Sequence, residues 1–343
     1  MKTRGQFSQH LSEPLFRQLI AYIVDNIRHG IFSPDKPIPS LNAMAIQTGL
    51  SKETVIKAYA HLCKEGVLNS LPGKGYFVRD GYLSGKPSVF VLMDKFSLHQ
   101  QDIMTGLLET LNGSADITIR MHYQSISQFE AELSKALDRY DWYVVFPHFS
   151  LEENSQAKVV KLLNTIPAEK LIIMDRLVDG LSEMTGASYQ SIEQDIPAML
   201  APVLGDIRKY RCLRYISLSV SLYGDLVAET IRKFCEEHSV SVDILKEVPS
   251  VINEKDLFFV SGSRLDRRLS ELIRNMSDSG LIIGEEVGLI CYNDFPLNEF
   301  ILGGLTTLST DFTQMGRTAA KMILSGSLSK VHCPCSLIRR NTF

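Results

Sequence analysis

Between Pro14 and Asn26 the apolar positions fall at Leu15, Leu19 and Ile23, with Ile27 next in the series and Phe16, Ile20 and Val24 widening the stripe. That spacing predicts a helix. Gly30 and Ser33-Pro34-Asp35 end it. Ser40 is placed to cap a short helix over Leu41 to Gln47, Gly49 supplies a tight turn, and Ser51 caps a further helix to about Glu65. In that helix Val55, Tyr59 and Leu62 share one face, while Lys52, Glu53, Thr54, Lys57, His61 and Lys64 take the others. Two short strands then flank Pro72-Gly73-Lys74-Gly75. Two helices around a glycine turn, the second polar and basic at its start, followed by a hairpin, predict a winged helix-turn-helix that lays its last helix in a major groove. The plain alternative is a small helical domain with a hairpin and no nucleic-acid role.

From Ser88 the pattern changes to short continuous apolar runs separated by amphipathic stretches. Runs such as Val89–Met93, Trp142–Phe146 and Leu171–Met174 form one series, and Arg214–Leu218, Leu257–Val260 and Val287–Cys291 a second. Helices are expected at 99–111, 127–140, 158–164, 225–238 and 264–277. Unbroken apolar strands with helices between them predict parallel sheets covered on both faces. The fold class is therefore α/β: a winged helix-turn-helix over residues 1–80, a linker at 81–87, and a two-lobed doubly wound domain over 88–343. The lobes are expected at about 88–175 with 295–325, and 190–290 with 330–343. Hinge crossings are expected near 175–191, 292–305 and 309–311.

Charge sharpens the division. The 343 residues carry 36 Lys or Arg and 39 Asp or Glu, a formal net charge of −3. Residues 1–80 hold a net +4 and the remainder −7, an asymmetry that suits a nucleic-acid partner for the first part only. The N-terminus has no apolar signal segment and no apolar run long enough to span a bilayer, so a cytoplasmic location is expected. The six cysteines lack disulfide-framework spacing and fit reduced thiols; Cys333-Pro334-Cys335 has only His332 beside it, short of a zinc site. Neither metal nor cofactor is expected.

Ligands of doubly wound sheets bind outside the carboxyl ends of the strands. That rule selects His148, Asp175 and Arg176, Tyr223 and Asp225, Ser263 and Arg264, and Asn293 and Asp294 as effector candidates. They offer carboxylate, amide, guanidinium and an aromatic face, the groups that bind a polyhydroxylated ligand. Each could equally be an ordinary capping or salt-bridging loop residue.

Two resemblances follow from these residues. Pro37-Ile38-Pro39-Ser40, Gly49-Leu50-Ser51-Lys52-Glu53-Thr54-Val55, Glu65-Gly66-Val67-Leu68 and Pro72 to Val78 resemble the GntR family of bacterial transcription regulators. The resemblance implies DNA contacts from Ser40, Asn42, Ser51, Lys52, Thr54, Lys57, Lys74 and Gly75, the last two approaching the minor groove. The family usually has Arg at positions 42, 52 and 57. Lysine lacks the guanidinium fork that reads guanine, so Lys52 and Lys57 are expected on phosphates and Asn42 and Thr54 nearer bases. Residues 88–343 resemble the effector domain of LacI-type repressors, through Val287 to Asp294, Leu305 to Ser309, Met315 to Leu324 and Leu337 to Thr342. Asn293 stands where that family has a ligand-contacting Asp.

Together the resemblances imply a dimeric regulator, an arrangement like that of AraR: a repressor of a carbohydrate-utilisation operon that binds a palindromic operator and is controlled by a sugar between the lobes. Two alternatives stand beside it. An enzyme-fused regulator would need an aminotransferase-like domain with a Schiff-base lysine, for which the chain after residue 80 is short. No phosphate loop, nucleophile elbow or His-Glu-x-x-His motif is present, and no enzyme is expected. The other alternative is a cytoplasmic small-molecule-binding protein without operator specificity.

Overall fold

A computed structural model describes residues 7, 14–79, 82, 85–149, 156–217, 223–261 and 267–343. In the N-terminal domain α1 (Leu15–Arg28), α2 (Leu41–Thr48) and α3 (Lys52–Lys64) precede an antiparallel hairpin of β1 (Leu68–Leu71) and β2 (Gly75–Val78). The apolar stripe of α1 becomes core: Leu19, Ile23 and Ile27 are buried with Met44, Val55, Tyr59 and Leu62. Gly49 ends α2 at φ 72°, a left-handed conformation that costs glycine no Cβ clash and turns the chain into α3.

The first lobe contains β3 (Ser88–Met93), α4 (Leu98–Leu111), β4 (Asp116–Met121), α5 (Ile126–Ala136), β5 (Trp142–Val145), α6 (Gln156–Leu163), β6 (Leu171–Asp175) and β7 (Gly186–Tyr189). In the second lobe α7 (Ile192–Leu200) and α8 (Leu204–Ile207) lead into β8 (Cys212–Ser217), α9 (Gly224–Glu237), β9 (Val242–Leu245), β10 (Asp256–Ser261), α10 (Arg267–Asp278), β11 (Gly288–Tyr292) and β12 (Thr306–Thr310). The chain then returns to the first lobe through α11 (Phe312–Ser325) and β13 (Lys330–His332), and ends in the second with β14 (Cys335–Ile338). The sheets run in the orders β13-β7-β6-β5-β3-β4 and β14-β12-β11-β10-β8-β9. All neighbours are parallel except the β12–β14 pair.

The continuous apolar runs are explained by helices on both faces. Along β3, Val89, Val91 and Met93 face the layer that holds α4 and α11, while Phe90 and Leu92 face that of α5 and α6. Along β10, Leu257 and Phe259 lie in one core and Phe258 and Val260 in the other. Helices α4 and α11 touch backbone to backbone. A Cβ on Gly106 would stand 2.0 Å from the Thr313 carbonyl oxygen, and one on Gly316 1.9 Å from that of Ile103, so only glycine fits at either position.

The division between lobes differs from the expectation. β11 and β12 are hydrogen-bonded neighbours in one sheet, so the chain does not cross between 292 and 305. Residues 295–310 belong to the second lobe, and 330–332 to the first. The crossings lie between β7 and α7, between β12 and α11, and between β13 and β14.

Candidate DNA-reading surface and effector cleft

The start of α3 is set by a cap. Ser51 Oγ accepts from the Thr54 amide at 3.2 Å and lies 2.9 Å from Thr54 Oγ1. Ser40 caps α2 by accepting from the Ala43 amide at 3.3 Å. Tyr59 OH donates to the Pro39 carbonyl at 2.6 Å, fixing α3 against the entry of α2. Asn42, Ser51, Lys52 and Lys57 are exposed and Thr54 is partly exposed. Lys57 Nζ rests 4.4 Å from the centre of the Phe16 ring, a contact that leaves the ammonium at the surface. Gly75, at φ 107°, shapes the wing. Lys74 points elsewhere: its Nζ donates to the Ser134 carbonyl of the first lobe at 2.7 Å.

The cleft is built at the carboxyl ends of the strands. His148 is buried, with Nδ1 3.5 Å from Asp94 Oδ1 and Nε2 3.1 Å from Asp175 Oδ2. Burial works against a charged imidazole, but the two carboxylates facing it outweigh that and raise its pKa to about 9. Burial likewise opposes ionisation of Asp94 and Asp175. The His148 cation, with Gln124 Nε2 on Asp94 and Gln190 Nε2 on Asp175, holds both below the usual carboxylate range. Gln100 Nε2 also donates to Asp94. At neutral pH the core of the site is thus carboxylate, imidazolium, carboxylate.

The second lobe closes over it. The Tyr223 ring packs edge-on against His148 at 5.7 Å and lies beneath the Arg176 guanidinium at 4.5 Å. Burial pushes the Tyr223 phenol well above its ordinary value, so it is a hydrogen-bond donor rather than an anion. Arg176 also faces Glu193 at 3.6 Å. Asn293 Nδ2 donates to His99 Nε2 across the lobes at 3.1 Å, and its buried Oδ1 accepts no hydrogen bond from any described residue. Asp175 and Asn293 share a left-handed backbone, φ 72° and 74°, which turns each side chain sharply off the end of its strand.

Of the expected effector residues, His148, Asp175, Arg176 and Tyr223 meet, and Asn293 borders them. Asp294 does not serve there. Its carboxylate is gripped by Arg340 through two 2.9 Å bonds and accepts from Asn298 and Thr307, which overcome the effect of burial and lower its pKa to about 2. It fastens the C-terminal segment to the second lobe. Asp225 is exposed in the first turn of α9. Ser263 and Arg264 lie outside the described residues. Asp94, Gln124, Gln190 and His99 were missed. Asp94 directly follows β3, so the carboxyl-end rule that selected Asp175 selects it too.

Gln190 sits at a hinge crossing. Its Oε1 accepts from Tyr292 OH at 3.2 Å and Thr310 Oγ1 at 3.0 Å, both of the second lobe, while its Nε2 donates to Asp175 of the first at 2.6 Å. A cavity of about 700 Å³ lies elsewhere, between the N-terminal domain and the first lobe, lined by Arg79, Asp141, Trp142 and Lys170 among others. Its mixed charges define no ligand chemistry. The described residues contain no cluster of three or more metal-ligating side chains.

Comparison with known proteins accounts for both halves. Residues 15–78 match the bacterial regulatory proteins of the gntR family, and residues 223–342 match the periplasmic binding protein-like domain. The HTH-type transcriptional repressor NagR of Bacillus subtilis is 38% identical over 65 residues, 19% of this chain and 27% of the relative. The mannosyl-D-glycerate transport/metabolism system repressor MngR of Escherichia coli is 31% identical over 68 residues, 20% and 28% of the two chains. The chain therefore spans less than a third of the length of these curated relatives. Among solved structures, a dimeric Lac repressor with an 11-residue C-terminal deletion aligns over 74% of this chain and 98% of its own, at 15% identity and TM-score 0.57. The trehalose repressor from Escherichia coli aligns over 74% and 100%, at 13% identity and TM-score 0.56. A LacI family regulator, CCPA from Weissella paramesenteroides with bound sucrose, gives 18% identity over 74% and 98%, with TM-score 0.55. The chain thus joins a gntR-family winged helix-turn-helix to a periplasmic-binding-protein-like domain that has the fold of the LacI-family repressors.

Proposed function

We propose that the protein is a sequence-specific DNA-binding transcription regulator, acting as a repressor of carbohydrate utilisation, whose operator affinity is set by a sugar held between the lobes. One observation carries this reading: a solvated, capped recognition helix shares a chain with a hinged two-lobed domain whose facing strand ends gather Asp94, His148, Asp175, Tyr223 and Asn293. Carboxylate acceptors, a phenol donor and the unfilled Asn293 Oδ1 suit hydroxyl groups, and the Tyr223 ring suits the apolar face of a sugar. The relatives support the class of ligand. MngR is named for a mannosyl-D-glycerate system, and one neighbour holds sucrose.

Lobe closure would relocate one lobe's outer surface relative to the other, and in a dimer that changes the spacing of two winged helices across a palindrome. Leu297 and Phe300, 67% and 76% exposed on the second lobe, and Leu98 and Leu108, exposed on α4 of the first, are apolar positions suited to contact with a second copy. A cytoplasmic location accords with this function; among the described residues no helix is long and apolar enough to cross a membrane.

Selection of duplexes from a random pool by the purified protein tests the reading. Enrichment of a palindromic sequence whose binding survives moderate salt is expected. Binding without sequence preference that salt removes would leave only non-specific attraction to phosphates.

A further inference from the structure

The two DNA-facing parts of the N-terminal domain are held differently. Helix α3 is open at Ser51 and Lys52. The wing is tied down: Lys74 Nζ donates to the Ser134 carbonyl near the end of α5. Arg139, just beyond α5, adds a second tie. Its Nη2 donates to the Pro34 carbonyl, in the turn between α1 and α2, at 2.9 Å, and its guanidinium lies 5.7 Å from the centre of the Phe77 ring on β2. A third contact lies at the base of the wing. Arg79 grips Asp141 through bonds of 2.7 and 2.8 Å, and Asp141 also accepts from the Ser88 amide at 2.9 Å and Ser88 Oγ at 3.0 Å. Because Arg79 adjoins the linker, that joint can hold while the wing moves. Lys74 and Arg139 cannot.

Lys74 is the only cation in the turn from Pro72 to Gly75. While it is bonded to Ser134 it cannot reach a phosphate. The other end of α5 lies at the cleft, where Gln124, two residues before the helix, donates to Asp94 at 3.2 Å. An 11-residue helix is a rigid strut of about 16 Å, so α5 and the turn that leads into it reach from the cleft carboxylate to the wing.

We propose that the docking of the wing on α5 and Arg139 is an autoinhibitory latch. In the docked state the recognition helix is presented without its wing and binds DNA weakly; full affinity requires Lys74 and Phe77 to leave the first lobe, and a ligand that displaces Gln124 from Asp94 acts on the same helix. The proposal rests on residues 15–78 binding DNA.

The test uses the full chain with Arg139→Ala, and Phe77→Leu as a second variant that removes the ring face but keeps an apolar side chain. Hydrogen exchange of residues 71–78 and affinity for the duplex enriched by the wild-type protein are measured together. Faster wing exchange and roughly tenfold tighter binding are expected if the docked state is populated about nine to one, since apparent affinity scales with the competent fraction. Unchanged exchange and affinity in both variants would overturn the latch, as would faster exchange with weaker binding, which would make the contact a positioning device. Failure of the selection to enrich any duplex would instead refute DNA reading itself, and the latch with it.

Discussion

The recognition surface and the effector cleft are both polar, yet they are built in opposite ways. On α3 the polar groups are solvated and their anchors are local: Ser51 caps its own helix, and Lys52 stands in water. In the cleft the polar groups are buried and hold one another across long sequence separations, Asp94 with His148 and His148 with Asp175. A surface that must meet a polyanion keeps its charges available. A site suited to a small neutral molecule would set its charges against one another and leave single atoms, such as Asn293 Oδ1, for a ligand. The difference predicts that cleft substitutions act on stability first, while exposed cations of the helix act on DNA affinity and its cap on local stability.

His148→Leu should have the largest effect. It leaves the buried Asp94 and the largely buried Asp175 without their cation, and removal of one partner from such an arrangement costs about 3–5 kcal/mol. Urea unfolding of the variant checks this, and a loss below about 1 kcal/mol would mean that the cluster is not held by charge. A pH series should show nearly as much. The folded pKa of His148, about 9, is raised above its ordinary 6.5, so its contribution is full below about pH 6.5 and is lost as pH rises through 9, for up to about 3 kcal/mol. Asp94 and Asp175 act in the opposite sense, their contribution being present above the ordinary carboxylate pKa and lost as pH falls through their depressed values. The alkaline loss should be absent in His148→Leu.

On the other surface, Lys52→Ala should weaken duplex binding about threefold to tenfold on all sequences and lower the salt-dependence slope by about 1, with the melting temperature unchanged. A change in sequence preference would show instead that Lys52 reads bases. Ser51→Ala should cost the N-terminal domain about 1 kcal/mol through its lost cap. Asp225→Asn should be nearly silent in stability and in ligand response, since that side chain is exposed and apart from the cleft cluster.

Legibility in the sequence follows the same contrast. The N-terminal domain is local: Ser40, Gly49 and Ser51 mark their helix ends within a few residues, and the apolar stripe of α1 is its buried face. The long apolar strands were equally plain, because both faces of each sheet are covered. β7 and β13 were not recognised. β13 has only three residues, none of them buried, and exists by pairing with β7 across a long sequence separation. The misplaced crossing has a similar cause, since nothing local in 292–305 announces that β11 and β12 remain side by side. Asn293 and Asp294 are chain neighbours of like shape; the distant Arg340 takes one and leaves the other to the cleft.

A ligand between the lobes is expected to control DNA binding. The most direct measurement is fluorescence anisotropy of the enriched duplex, titrated with pentoses, hexoses, deoxyhexoses and their phosphates, for the wild-type protein and Asn293→Ala. At least one sugar should shift duplex affinity by about 5- to 150-fold, and Asn293→Ala should lose that shift while binding the duplex as before. Sequence-specific binding that no sugar alters, or a shift that survives Asn293→Ala undiminished, would contradict it.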